Sequence, residues 1–146
     1  MLQYSFSWKQ LSVIAGITWQ RFYFRFFPGA IRSPQLVEFL KVLRQHLVGP
    51  LLIVWDGLKA HKSRLVRDYI EDDGAIQLEF LPAYAPELNP TEYIWGYLKT
   101  REIGNLCARH LSTVRDLASR RLRSMQRRST LIRAFWKQAE LQFDCP

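Results

Sequence analysis

Apolar and polar residues alternate along the first part of the chain in the manner of β-strands. Every odd position from Leu11 to Trp19 is apolar, and phenylalanines alternate with other residues from Phe22 to Phe26. Period-two alternation is typical of a strand that turns one face toward a core. The pattern therefore predicts two strands joined by a short turn, and Pro28-Gly29 is expected to end the second strand.

The next part of the chain predicts a helix followed by a strand. Ser33-Pro34 is typical of a helix start, with Ser33 as the N-cap and Pro34 in the first helical position, and Gly49-Pro50 is expected to end this helix. The leucines that form its predicted buried stripe are Leu36, Leu40, Leu43 and Leu47. The continuous apolar run from Leu51 to Trp55 is typical of a central strand covered on both faces.

A shorter helix and a further strand come after this run. The helix is expected to end near Asp73-Gly74, and its predicted buried face consists of Leu65, Val66, Tyr69 and Ile70. The alternation of apolar and polar residues from Ile76 to Phe80 predicts the strand.

The rest of the chain is predicted to be helical. A loop with several prolines, from Pro82 to Pro90, leads to a helix that begins around Thr91, and a last long helix starts near Ser112. The residues expected on the buried side of the last helix are Val114, Leu117, Leu122 and Met125. The element order β-β-α-β-α-β-α-α predicts an α/β fold in which helices flank a mixed sheet. Ligands of such sheets bind at the carboxyl ends of the parallel strands, where Asp56 lies.

The length and composition are those of a single domain that spans residues 1–146. Of the 146 residues 48% are hydrophobic and 14% aromatic, so the chain can bury a core, and disorder of the whole chain is excluded. The longest apolar run, Leu51 to Trp55, is far short of the roughly 20 residues that a membrane span needs, and the first eight residues lack the pattern of a signal peptide. Cys107 and Cys145 favour neither a disulfide scaffold nor a cysteine metal site, and they suit a cytosolic protein.

Charge is distributed unevenly around a net value of +8. Residues 1–55 contain six basic residues and one acidic residue, residues 56–104 contain six and nine, and residues 105–146 contain nine and three. Basic flanks around an acidic centre predict a surface that binds a polyanion, and nucleic acid is the natural partner. An ordinary basic protein without such a partner is the alternative.

Two carboxylates are the candidate metal ligands. Asp56 directly follows a predicted buried strand, and Glu92 begins a predicted helix 36 positions later. Carboxylate oxygens are preferred ligands of Mg²⁺ and Mn²⁺, and a pair of such ions can activate a water or a 3′-hydroxyl toward a phosphodiester. Two structural roles compete with this one. Asp56-Gly57 is also typical of a turn, and Asn89 and Glu92 are spaced as a helix capping box.

Two blocks of sequence surround these carboxylates. One is Val54-Trp-Asp-Gly-Leu-Lys-Ala-His-Lys-Ser63, and the other is Leu81-Pro-Ala-Tyr-Ala-Pro-Glu-Leu-Asn-Pro-Thr-Glu-Tyr-Ile-Trp-Gly-Tyr-Leu-Lys99. Both resemble blocks of the DDE transposases in the bacterial insertion-sequence group related to the mariner elements. The blocks occur in the family's order with 35 residues between the two carboxylates, and the resemblance extends from about Leu11 to the last helix. It implies a ribonuclease H-like fold, with Asp56 as the second catalytic carboxylate and Glu92 as the third.

The same resemblance implies a reaction and its partners. Members of this family cleave DNA at transposon ends and join the freed 3′-hydroxyl to target DNA, with two Mg²⁺ or Mn²⁺ ions expected in the complete site. Transposon ends and target DNA are then the partners, and the bacterial cytosol, at the nucleoid, is the expected compartment.

The sequence departs from the family pattern at its start. The family's first catalytic Asp lies on the first strand of the fold, but no Asp precedes Asp56 here, and Glu38 lies within a predicted helix. We therefore expect the C-terminal part of a catalytic domain, lacking its first strand and inactive alone. A full-length transposase or a second copy of the chain is a further expected partner. The alternatives are a truncated product that only binds DNA or a transposase, and a basic nucleic-acid-binding domain whose acidic residues are merely caps.

Basic side chains near the two blocks and on the last helix are candidate DNA contacts. His61 matches a histidine of the family block, and it is expected either to touch a phosphate or to orient Asp56. Contacts to the DNA backbone, without sequence preference, are expected from the other basic residues. These are Lys62, Arg64, Arg120, Arg121 and Arg123. A solvated helix surface is the alternative explanation for these side chains.

Overall fold

The β-structure of the chain consists of one antiparallel and one parallel pair of strands. The computed structural model describes residues 11–57, 59–83, 85–102 and 111–140. Strand β1 (Leu11–Ile17) pairs antiparallel with β2 (Phe22–Pro28). Strand β3 (Leu51–Trp55) pairs parallel with β4 (Ile76–Phe80). All four strands lie where the hydrophobic pattern predicts strands.

Five α-helices accompany the strands in the described residues. They are α1 (Ser33–His46), α2 (Arg64–Asp73), α3 (Pro90–Tyr97), α4 (Leu111–Gln126) and α5 (Ser129–Gln138). Short 3₁₀ turns cover Lys59–Lys62 and Pro86–Leu88, and a π-helical turn covers Leu98–Glu102. The predictions about Cys107 and Cys145 lie outside the described residues. Within the described ranges, no helix is long and apolar enough to cross a membrane.

Strand β1 is buried on both faces, although its alternating pattern predicts one buried face. Val13 and the other odd positions pack against α3, α4 and α5, whereas Ile14 on the opposite face packs against α1. Helix α1 packs closely over Gly16. A methyl group at position 16 would be in ordinary contact with a methyl of Leu43, at 3.6 Å, and with the ring of Phe39, at 3.7 Å. The second buried face therefore results from long-range helix packing.

Helix α1 begins one residue earlier than the sequence predicts. Arg32 is the N-cap and Ser33 is the first helical residue, so the assignment of Ser33 as the N-cap is wrong. The side chain of Gln35 accounts for the shift, because its Oε1 accepts a hydrogen bond from the Arg32 N–H at 3.0 Å. Three of the predicted leucines, Leu36, Leu40 and Leu43, are buried, and the fourth, Leu47, is the half-buried C-cap residue.

Strand β3 is covered on one face only, so the prediction of a strand covered on both faces is wrong. Ile53 and Trp55 are buried in a cluster with α1 and α2, but Leu52 on the opposite face is 57% exposed. The prediction for α2 also needs one correction. Val66 is fully buried, whereas Leu65 lies outside the buried face and is 47% exposed. Helices α3, α4 and α5, which cover the odd-numbered positions of β1, do not bury Leu52.

The C-terminal segment forms two helices, not one long helix. Helix α4 ends at Gln126 and α5 begins at Ser129. No glycine or proline lies at the break, so the sequence pattern predicts neither the break nor a separate helix α5. Arg128 lies at the break, where its guanidinium donates a hydrogen bond to the Tyr97 hydroxyl at 3.2 Å. Of the predicted core residues of α4, Val114, Leu122 and Met125 are buried, and Leu117 is half-buried.

The two strand pairs are separate sheets in the described part of the chain. No backbone ladder joins β1 to β3 there, although the element order predicts one mixed sheet. Both strands instead line an apolar cleft beside α1 that is open to solvent and has about 580 Å³ of empty volume. The side chains of Ile14, Leu40 and Ile53 are among those that line this cleft.

Candidate active site

Asp56 and Glu92 line one cleft at the carboxyl ends of β3 and β4. We call it the carboxylate cleft, and its lining residues include Asp56, Gly57, Lys62, Phe80, Asn89 and Glu92. Its empty volume is about 1180 Å³, and it is open to solvent. Asp56 is the first residue after β3, and a hydrogen bond of 2.7 Å from the Leu81 N–H to the Trp55 carbonyl extends the strand pairing to this point. The structure therefore brings together the two carboxylates that the sequence analysis singled out.

The start of α3 positions Glu92. Asn89 is the N-cap, as predicted, and its side-chain oxygen accepts hydrogen bonds from the N–H and the hydroxyl of Thr91, at 3.1 and 2.6 Å. Glu92 occupies the third helical position. A capping box would direct the Glu92 carboxylate to the Asn89 N–H. That N–H donates instead to the Pro86 carbonyl at 3.0 Å, so the carboxylate of Glu92 lines the cleft without serving as the cap.

The electrostatics of the carboxylate cleft suit a cation. Burial and then the negative charge of Asp56 raise the pKa of Glu92 from 4.5 to about 6, and the positive charge of Lys99 opposes this shift. A divalent ion bound between the two carboxylates would offset the negative charge that raises the pKa of Glu92. Among the described residues, no group of three or more His, Cys, Asp and Glu side chains is placed to hold a metal. An ion bound by Asp56 and Glu92 would therefore take its remaining ligands from water or phosphate oxygens.

His61 is held against Asp56 inside the protein. Its Nδ1 lies 2.8 Å from the Asp56 carbonyl oxygen and 2.9 Å from the carboxylate oxygen Oδ1. Both partners are acceptors, so Nδ1 is assigned the proton. The ring stacks on Trp55, with 4.3 Å between ring centroids and an angle of 5° between the planes. The side chain has no exposed surface, so this geometry favours the predicted role of orienting Asp56 over a direct phosphate contact.

The predicted basic contacts separate into two groups. Lys62 lines the carboxylate cleft. Arg64 is 90% exposed on α2 and lies 3.8 Å from Asp68, away from the cleft. The arginines of α4 are exposed, and they do not line the cleft. These arginines are Arg120, Arg121 and Arg123.

Two further side chains shape this site and were not predicted from the sequence. Trp55 supports the ring of His61, and Phe80 lines the cleft with 45% of its surface exposed. In the sequence both are apolar residues at the ends of predicted strands, and such residues are usually part of a core. The signal that could have identified them is their position, since Trp55 lies within the first block directly before Asp56 and Phe80 directly precedes the second block.

Comparisons with known proteins give the family and the fold. The sequence profile of the DDE superfamily endonucleases matches residues 2–115. The structure is similar to the Mos1 transposase catalytic domain with raltegravir and Mn, with a TM-score of 0.67 and 16% identity over 94% of this chain and 73% of that chain. It is also similar to the catalytic domain of Mos1 mariner transposase, with a TM-score of 0.66 and 16% identity over 96% of this chain and 72% of that one.

A third solved structure is the Mos1 mariner paired end complex with Mn, with a TM-score of 0.67 and 17% identity over 89% of this chain and 41% of that chain. No curated protein matches the chain. The structural likeness confirms the predicted ribonuclease H-like α/β fold. Because the profile covers more than half of the sequence, this chain belongs to the DDE superfamily endonucleases.

Proposed function

We propose that the chain is the catalytic part of a DNA transposase from the bacterial insertion-sequence group related to the mariner elements, acting on the nucleoid in the cytosol. The main observation that supports this proposal is that Asp56 and Glu92 line the same cleft at the carboxyl ends of β3 and β4. The fold resembles that of Mos1 transposase, whose structures include complexes with Mn, with Mg and with paired ends. We infer the same substrate class, transposon ends and target DNA.

Asp56 and Glu92 are the proposed metal ligands. Mg²⁺ or Mn²⁺ bound there would supply Lewis-acid activation of a phosphodiester and of the attacking water or 3′-hydroxyl. His61 acts as a positioning residue, because its Nδ1 proton bridges the carbonyl and the carboxylate of Asp56. Asn89 positions Glu92 by fixing the first turn of α3. Lys62 provides a positive charge in the cleft for a phosphate of the DNA.

A test of the metal site compares thermal unfolding with and without Mn²⁺. Binding to the folded state at 100 times the dissociation constant stabilises it by about 2.7 kcal/mol, so Mn²⁺ should raise the Tm of the wild type by several degrees. Asp56→Asn and Glu92→Gln should abolish this rise. Glu79→Gln is the matched control, because Glu79 is an exposed carboxylate on β4 outside the cleft. A wild type that does not respond to Mn²⁺, or an Asp56→Asn variant that responds equally, would refute the site.

We also propose that this chain alone does not cleave DNA. Family resemblance implies three carboxylates, and Asp56 and Glu92 supply two. Metal-assisted hydrolysis requires fixed coordination, so two ligands leave the ions poorly held. Incubation with plasmid DNA and Mn²⁺ should therefore produce no nicking. Nicking that Asp56→Asn abolishes would show that the site is complete. A full-length transposase is the proposed partner that completes it, whereas a second copy of this chain would lack the same carboxylate.

A second candidate function is binding without chemistry, to DNA or to a transposase. The observation that favours it is the exposed arginine surface of α4, which lies apart from the carboxylate cleft. Neutralisation of phosphates by such a surface gives an affinity that falls steeply with salt and carries little sequence information. This function predicts DNA binding that survives Glu92→Gln and is weakened when Arg120, Arg121 and Arg123 are replaced together by glutamine.

A further inference from the structure

Phe80 is placed unusually for a phenylalanine. Every other phenylalanine in the described residues is buried or half-buried, whereas the ring of Phe80 is 45% exposed. Phe80 is the last residue of β4 and lines the same cleft as Asp56 and Glu92. An exposed aromatic ring beside candidate catalytic carboxylates is available to a ligand of that cleft.

A cation lies beside the ring on the same wall of the cleft. The ammonium nitrogen of Lys62 is 5.2 Å from the centroid of the Phe80 ring, within the range of a cation–π interaction. Gly57 lies next to this ammonium group, since a methyl group at position 57 would be in ordinary contact with Nζ, at 3.5 Å. Phe80, Lys62 and Gly57 thus form a surface that combines an aromatic face with a positive charge.

This combination matches the chemistry of a nucleotide. A nucleotide offers a phosphate to a cation and the flat face of its base to an aromatic ring, and proteins that bind single strands use both contacts. A base within duplex DNA has its faces covered by its neighbours, so only an unpaired base can reach the ring. The phosphate next to that base would lie near Lys62, on the side of the cleft that holds the carboxylates.

We propose that Phe80 is a stacking platform for an unpaired nucleobase next to the phosphate that enters the carboxylate cleft. The proposal deepens the proposed function and rests on it. It assigns to this cleft a preference for DNA that is frayed, flipped or single-stranded at the reacting position. Phe80 and Lys62 then act together, Phe80 on the base and Lys62 on the backbone.

Binding of fluorescent DNA to the full chain tests the platform, with a short mixed-sequence single strand and a blunt duplex of the same sequence at one salt concentration. Stacking on an aromatic ring contributes about 1–3 kcal/mol per base, so Phe80→Ala should weaken binding of the single strand between about fivefold and about a hundredfold. Binding of the duplex should change little. Phe80→Trp should retain single-strand binding, and Lys62→Gln should weaken binding of both DNAs.

Two further variants serve as controls. Leu65→Ala removes an apolar side chain of α2 that is 47% exposed and does not line the cleft, and it should bind both DNAs as the wild type does. Phe80→Leu keeps apolar volume and safeguards the test if Phe80→Ala fails to fold; it should lose single-strand binding. Equal weakening of single strand and duplex by Phe80→Ala or Phe80→Leu, or a Phe80→Trp variant as weak as Phe80→Ala, would overturn the platform.

The Mn²⁺ response separates this proposal from the proposed function. If the wild type and Phe80→Ala both gain stability with Mn²⁺ but bind single strands equally, the metal site stands and the platform fails. If Mn²⁺ has no effect on the wild type while single-strand binding still depends on Phe80, the platform stands as a nucleic-acid contact and the catalytic assignment fails.

Discussion

The antiparallel pair β1–β2 and the parallel pair β3–β4 differ in how far helices cover them. β1 is buried at all seven positions, between α1 on one face and the three helices α3, α4 and α5 on the other. In β3 and β4 only Ile53 and Trp55 are buried, and both of these side chains face α1 and α2. The first pair therefore contributes most of the core, whereas the second leaves its carboxyl edge accessible for chemistry.

Hydrogen bonds between distant parts of the chain stabilise the β1–β2 pair. The side-chain amide of Gln126 donates to the Phe22 carbonyl at 2.8 Å, and the indole N–H of Trp136 donates to the Thr18 carbonyl at 2.8 Å. Both connect the C-terminal helices to the β1–β2 hairpin. Beside β3–β4, a polar contact positions the site, since His61 bonds to Asp56 directly after β3. The difference shows that core packing and site accessibility are assigned to different strand pairs.

The largest expected effect on stability comes from truncating a core side chain of the β1–β2 pair. Phe22 is 1% exposed on β2, and Phe22→Ala should lower the free energy of unfolding by about 3–5 kcal/mol, because the cavity adds to the lost burial. Leu52→Ala, at a position of β3 that is 57% exposed, should stay within about 0.5 kcal/mol. Denaturant unfolding measures both. Similar losses for the two variants would contradict the contrast between the strand pairs.

A smaller loss of stability is expected when His61, the buried histidine beside β3, is truncated. His61→Ala removes the hydrogen bonds to Asp56 and the stacked ring on Trp55, and it should cost about 2–3 kcal/mol. His46→Ala is the control, because His46 also stacks on an aromatic ring, Tyr23 at 5.4 Å, but is exposed. That variant should cost less than about 1 kcal/mol. Beyond stability, only His61→Ala should weaken the Mn²⁺-induced rise in Tm, and equal responses would argue against the positioning role.

The carboxylate cleft should make stability depend on pH. The pKa of Glu92 is raised from 4.5 to about 6 in the folded protein, so the folded state binds more protons in that window and stability falls as pH rises through it. Without divalent ions, Glu92→Gln should therefore be more stable than the wild type above pH 6, by no more than about 1 kcal/mol because solvent screens a half-exposed carboxyl group.

Below pH 4.5 the advantage of Glu92→Gln should disappear, because Glu92 is then protonated in both states. Melting curves across this pH range measure the difference, with Glu79→Gln as the control for loss of an exposed carboxylate. A Glu92→Gln variant that is less stable than the wild type at neutral pH without metal would contradict the electrostatic account of the cleft.

Two glycine substitutions should also give small effects on stability, with opposite signs. A methyl group at position 16 of β1 makes ordinary contacts of 3.6 Å or more with α1, so Gly16→Ala should stabilise the protein by about 0.5–1 kcal/mol. Gly74, which caps α2 beside β4, has a φ of 73°. Gly74→Ala should cost about 1 kcal/mol, because side chains disfavour this left-handed region. A loss of stability in Gly16→Ala would indicate that α1 cannot accommodate the added methyl group.

Local patterns in the sequence determined the elements and the candidate ligands of this protein. The alternation in 11–17 and the stop at Gly74 depend on the backbone preferences and side-chain spacing of neighbouring residues, and these act over a few positions. For the same reason the N-cap Asn89, and with it Glu92 in the first turn of α3, was predictable. Asp56 was found because it directly follows an apolar run.

The tertiary structure alone decided which faces are covered and what meets at the cleft. The exposure of Leu52 and the second covered face of β1 both depend on residues far along the chain. The hydrophobic pattern of the sequence identifies apolar side chains, but it does not predict which helix packs over them. The break between α4 and α5 also involves a distant residue, since Arg128 at the break interacts with Tyr97, 31 positions earlier. Such contacts form only when distant segments pack, so only the folded chain shows them.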